Sequence, residues 1–187
     1  MANEILVPKS IYVFQSGKHI GDAAENFIFR NSDYLFYVRN RKHHDKDVLD
    51  QHLDFIFEAG AKLQTKKICP FCKKKTVKFF LFDSLFFLEG LTSCEDNLCK
   101  ETLKSLHPGI SLAPFLISTL GNFKKAGPRK KAEAFFRKVF GMPRRITPAI
   151  VFSMLRAAVG DQESLKPQPL KKKVKKETVT QMELSFQ

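Results

Sequence analysis

No apolar run in this chain approaches the ~20 residues that a membrane-spanning helix needs, so no membrane partner is expected. The first residues, MANEILVPKSIYVF, lack the basic start, apolar middle and small-residue cleavage site of a secretory signal, and a cytoplasmic location is the expectation. Cysteine is scarce: the chain has four, and in a reducing compartment they point to a metal rather than to a disulfide framework. Acid is short as well, with 19 Asp and Glu against 32 Lys and Arg and a formal net charge of +13. Arginine is the minor cation, 8 against 24 lysines. Lysine attracts phosphate as a point charge, whereas arginine's fork reads guanine, so a polyanionic partner should be held with little sequence preference. Solubility is the plainer use of the same lysines.

Apolar material is plentiful, at 43% of residues with 12% aromatic, which is enough for one medium core or two small ones. The expected class is α+β, in four segments: a hairpin-plus-helices module over residues 10–64, a cysteine hairpin over 65–100, a basic helical region over 101–160 and a disordered basic tail over 161–187. In the first segment, IYVFQSGKHIG reads as a short hairpin turning at Ser16-Gly17. NSDYLFYVRNR reads as a helix begun by Asn31 or Ser32, and DKDVLDQHLDFIFEAGAKL as another, with Leu49, Leu53, Ile56 and Leu63 at helical spacing. Phe14, Gly17, Lys18, His19, Gly21, Asp33, Tyr34 and Leu35 fall on the pattern Phe-Gly-Lys-His/Tyr-Lys-Gly followed by an Asp-Pro-x-Tyr-Leu helix start, with an extra residue between Phe14 and Gly17, Ile20 at the second basic position and Ser32 in place of the proline. In this the segment resembles the accessory domain at the C-terminus of exonuclease X-like proteins, a group of DnaQ-type exonucleases. The resemblance implies an association with DNA metabolism and covers no exonuclease catalytic domain.

His43, His44, Asp45, Asp47, Asp50, His52 and Asp54 crowd one short stretch, and a metal-dependent nuclease is the alternative that they raise. On a helix, however, Asp47, Asp50 and Asp54 share a polar face opposite Leu49, Leu53 and Ile56, as on any solvated amphipathic helix. His52 then belongs to the helix flank, and no catalytic residue is assigned.

The second segment carries the strongest chemistry. Cys69 and Cys72 stand at C-x2-C spacing and Cys94 and Cys99 at C-x4-C spacing, with 21 residues between the pairs. TVKFFLF and LFFLEGL read as strands joined by a turn at Asp83-Ser84. Two thiolate pairs at the ends of one folded-back hairpin are what a zinc ribbon needs, so a structural Zn²⁺ held by all four is expected. Four buried cysteines that bind nothing is the bland competitor. A redox role for the first pair is the other, and the extended look of the residues after it argues against that, since a thioredoxin-like motif opens a helix.

In the third segment SLAPFLISTLG, PRKKAEAFFRKVFG and TPAIVFSMLRAAVG read as helices that each end at glycine. Lys124, Lys125, Arg129, Lys130, Lys131, Arg137, Lys138, Arg144 and Arg145 make nine cations against one acid, Glu133, and are the expected phosphate contacts, with a solvated helix face as the alternative. The last segment is too polar to bury itself, yet it ends on QMELSFQ. Gln181, Leu184 and Phe186, with Met182 where leucine is commoner, resemble the short motif by which bacterial and phage replication and repair proteins hold the polymerase sliding clamp. The combined expectation is an accessory protein of replication or repair that binds nucleic acid and the clamp. An RNA- or transcription-associated zinc adaptor is the other alternative.

Overall fold

The structure, a computed structural model, describes residues 6–15, 17–41 and 48–161, without the side chains of residues 88 and 89. Near the N-terminus Val13 bridges Ala23, and Phe14 exchanges backbone bonds across the loop: its N–H donates to the Asp22 carbonyl and its carbonyl accepts from Gly21, each at 2.9 Å. Gly17 and Gly21 hold φ near +83° and +84°, left-handed backbone that glycine adopts without strain. Phe14 is thereby turned inward, edge-on to Phe27 and Tyr34. A 3-10 turn, Ala24–Phe27, leads into α1, Ser32–Asn40, whose Leu35 and Val38 are buried.

Helix α2, Val48–Ala61, is buried over most of its surface because α5 and the 3-10 turn Ile117–Asn122 both pack on it. A Cβ on Gly60 would lie 2.6 Å from Ile117 Cδ1, so the residue's lack of a side chain is what lets that turn approach. The sheet holds three antiparallel strands in the order β2-β1-β3, with β1 at Phe79–Phe82, β2 at Phe87–Ser93 and β3 at Ser111–Pro114. Phe80, opposite Thr92 on one side and Ala113 on the other, packs edge-on to Phe136 at 5.2 Å and tilted on Phe115 at 4.9 Å. Phe136 comes from α4, Ala126–Val139, which also buries Phe135 and Val139. Helix α5, Pro148–Ala158, starts with proline at its first position and Thr147 as cap, and turns Val151, Phe152 and Leu155 inward. A single cluster of buried apolar residues runs from Phe14 to Leu155 and takes in Cys69, Cys94 and Cys99.

The class is α+β, as expected. The helix expected over residues 111–121 is instead strand β3 followed by the 3-10 turn. Its residues pair with β1 from Phe79↔Pro114 to Phe82↔Ser111, and Pro114 is tolerated because β3 is an edge strand. Helix α3, Asn97–Leu106, has no counterpart among the sequence expectations; Asp96 caps it by accepting the Leu98 N–H at 3.0 Å. Ser16 of the expected turn and the tail from residue 162 onward lie outside the described residues. No helix among the described residues is long and apolar enough to cross a membrane.

Candidate metal centre and basic face

Three local devices deliver the four cysteines. Ile68 bridges Thr76, the Cys69 N–H donates to the Lys75 carbonyl at 2.8 Å, and the Lys73 N–H donates to the Cys69 carbonyl at 3.0 Å. Lys73, with φ at +53°, closes this knuckle in left-handed backbone. Cys94 follows the last residue of β2, and Cys99 sits in the first turn of α3. All four Sγ atoms lie within 4.8 Å of one another, and those of Cys72 and Cys94 are 3.7 Å apart. None is in a disulfide. A tetrahedral thiolate site with metal–sulfur bonds of about 2.3 Å has sulfur–sulfur edges of about 3.8 Å, so the cluster has the dimensions to hold a metal ion.

The electrostatics of the four thiols are uneven. The backbone N–H groups of Lys74 and Lys75 point at Cys72 and bring its thiol down to about 6. Burial works to raise Cys69, but donors from Cys72, Phe71 and Cys94 outweigh it and the net shift is downward. Burial raises Cys94, and burial together with the neighbouring sulfurs pushes Cys99 up to about 12. Four thiolates this close repel one another unless a cation sits among them, while the N–H donors are the kind of outer partner that steadies ligating sulfur.

The basic residues separate into two kinds. Lys130 and Lys131 are exposed, Arg137 is half-buried, and with Lys138 they occupy the side of α4 opposite Phe136. Lys124, Lys125, Arg144 and Arg145 are exposed at its two ends. Arg129 lies seven residues before Phe136, two helical turns, and so faces inward. Its guanidinium donates to Asp33 Oδ1 at 2.6 Å and to the Phe123 carbonyl at 2.7 Å, and its side chain is 11% exposed. It fastens α4 to α1 rather than facing solvent. The one acid of the segment, Glu133, is also internal, accepting the Ser32 N–H at 2.7 Å, and burial pushes its carboxyl up.

The His/Asp group does not converge among the described residues. Asp54 is exposed, 3.7 Å from Arg39, and Asp50 is half-buried. His52 corrects the flank assignment: it is buried, with Nε2 2.7 Å from Glu25 Oε1. Its spacing from Phe55 and Ile56, three and four residues on, is the available sign that it shares their inward face. His43, His44, Asp45 and Asp47 lie outside the described residues, as do Gln181, Met182, Leu184 and Phe186. Among the described residues, the four cysteines are the one group of metal-ligating side chains close enough to share an ion. Comparison with protein-family models, curated proteins and solved structures returns no match for this chain.

Proposed function

We propose that this chain is a zinc-stabilised accessory protein of DNA replication or repair that holds nucleic acid without sequence preference and reaches the sliding clamp through residues 181–186. The observation that carries the nucleic-acid part is the sorting of charge on α4. With Glu133 and Arg129 both turned inward, the outward side from Lys124 to Arg145 bears lysine and arginine with no acid. A one-signed strip of this kind neutralises phosphates and releases their counterions. Zinc is the metal that an all-thiolate tetrahedral donor set favours over the oxygen-seeking cations. Because all four donors come from the protein, the ion would have no open position for substrate, and its part is to hold the knuckle, β2 and α3 together.

Titration of duplex and single-stranded oligonucleotides over a salt series tests the strip. The logarithm of affinity should fall linearly with that of salt, by about 0.9 per phosphate neutralised on duplex and about 0.7 on single strands. Replacing Lys130, Lys131, Arg144 and Arg145 by glutamine should make the slope shallower by a like amount for each phosphate no longer held. Unchanged affinity and slope would reduce the strip to a solvated surface. Arg129 is left in place because its removal would break the tie to Asp33.

The clamp reading rests on the Gln-x-x-Leu-x-Phe pattern, with Leu184 and Phe186 as apolar anchors and Gln181 bonding at the groove's edge. A short peptide that orders on docking binds modestly, with its energy concentrated in the anchors. Micromolar binding of labelled clamp by the full chain is expected, and none by the Leu184→Ala, Phe186→Ala variant. Equal binding by the two chains would refute the assignment.

A further inference from the structure

The connection between β1 and β2 presents apolar side chains to solvent. Phe82 and Phe87, on either side of it, pack on Phe123 at 5.2 and 6.1 Å. Between them, Leu85 is 40% exposed and Phe86 60% exposed. The tip is held in this arrangement from two directions. Asp83 Oδ1 accepts the Leu85 N–H at 2.7 Å, and the Ser84 carbonyl accepts the Lys124 N–H at 3.0 Å. That second bond sets the tip against the start of the basic strip, next to the exposed Lys124 and Lys125.

From this juxtaposition we propose that the tip is a base-stacking contact for single-stranded nucleic acid, in which an unpaired base lies on Phe86, with Leu85 beside it, while Lys124 and Lys125 hold the flanking phosphates. The proposal rests on the nucleic-acid reading above and adds the form of the ligand. Charge complementarity selects the occupant: an apolar ring with cations next to it matches a strand whose π-faces and phosphates alternate along one backbone. A duplex keeps its base faces inside its own stack and offers Phe86 nothing except at its ends. A purely apolar groove on a protein would leave the two lysines without a partner. Stacking on an aromatic ring is tolerant of base identity, in keeping with a protein that has few arginines to read guanine.

The test uses the full metal-loaded chain and an oligothymidylate carrying one 2-aminopurine, whose emission is quenched on stacking. Phe86→Ala should weaken binding by about fivefold or more, abolish the quenching and leave the salt slope unchanged, because stacking on the ring is not ionic. Phe86→Tyr should restore both affinity and quenching. Lys124→Gln with Lys125→Gln should do the reverse, making the slope shallower by about 0.7 per phosphate released while quenching at saturation persists. Phe86 is exposed, so thermal melting of Phe86→Ala should match that of the parent. If the parent binds the oligonucleotide and Phe86→Ala binds and quenches equally, the stacking contact is wrong and the basic strip stands. Tighter binding of duplex than of single strand would also overturn it. If the parent binds no nucleic acid at all, the proposal falls together with the reading beneath it.

Discussion

If zinc fills the four-cysteine cluster as proposed, stripping it under reducing conditions should abolish the cooperative thermal transition altogether, instead of lowering its midpoint by a few degrees. Structural zinc in small thiolate modules contributes an apparent ~10–16 kcal/mol, because an unfolded chain offers no preformed site. The net stability of a domain is about 5–15 kcal/mol. The metal contribution is therefore as large as the whole margin. Nor would the damage stay local. Cys69, Cys94 and Cys99 belong to the same buried cluster as Phe80 and Phe136, and Cys94 follows directly on the strand that pairs with β1. Elemental analysis of protein purified reduced and without chelator should give one equivalent of zinc. Cys94→Ser, which puts a hydroxyl in place of a fully buried sulfur, should lose both the ion and the transition. Cys72→Ser, at the half-buried corner, should retain weaker binding. A preparation with less than about a fifth of an equivalent of metal that still melts cooperatively would remove the ion from the account of this fold.

The cysteine site is legible in the sequence because each half of it is local. Cys69 and Cys72 need only a tight knuckle, Cys94 and Cys99 only the end of a strand and the start of a helix, and the Asp83-Ser84 turn brings the halves together. Helices α2, α4 and α5 are legible for a related reason: their apolar residues recur at helical spacing, and α5 carries its own cap and N-terminal proline. Strand β3 is not, since residues 111–114 owe their extended state to the edge of β1, some thirty residues earlier. On their own, Leu112, Phe115, Leu116 and Leu120 recur as a helix would have them. Helix α3 does announce itself through Asp96, but its Cys99 reads in sequence as the end of the cysteine hairpin, where it proves to be the first turn of a helix. Arg129 and Glu133 enter a charge count like their neighbours, and only their positions on the inward face of α4 set them apart. The exposed tip at Leu85 and Phe86 is invisible to pattern, because its sequence is as apolar as the strands that flank it.

Position on a face also decides the part played by His52, and its replacement by alanine should be strongly destabilising. His52 is 2% exposed and its ring stacks on Phe152 and lies tilted against Phe55, so truncation opens a cavity among aromatic neighbours. It also strips Glu25 Oε1 of its 2.7 Å partner, when Glu25 Oε2 already has none. Leaving one member of a buried hydrogen-bonded pair without its partner costs about 1–3 kcal/mol, since the survivor keeps its desolvation and loses its compensation, and the cavity adds to that. Urea unfolding should show the midpoint falling accordingly. The double replacement Glu25→Met, His52→Leu removes both members of the pair at a closer match in volume, so it should recover part of that stability. The consequence reaches the basic strip through a series of packed elements. The pair ties the 3-10 turn Ala24–Phe27 to α2, that turn packs on α1, and α1 holds α4 through Asp33 and Arg129. In His52→Ala the proposed zinc equivalent should remain, because the bond that is lost joins His52 to Glu25 and to none of the four ligands, while the proposed affinity for oligonucleotide should fall as the orientation of α4 loosens. A destabilisation below about 1 kcal/mol would show that the pair carries no more than an ordinary hydrogen bond.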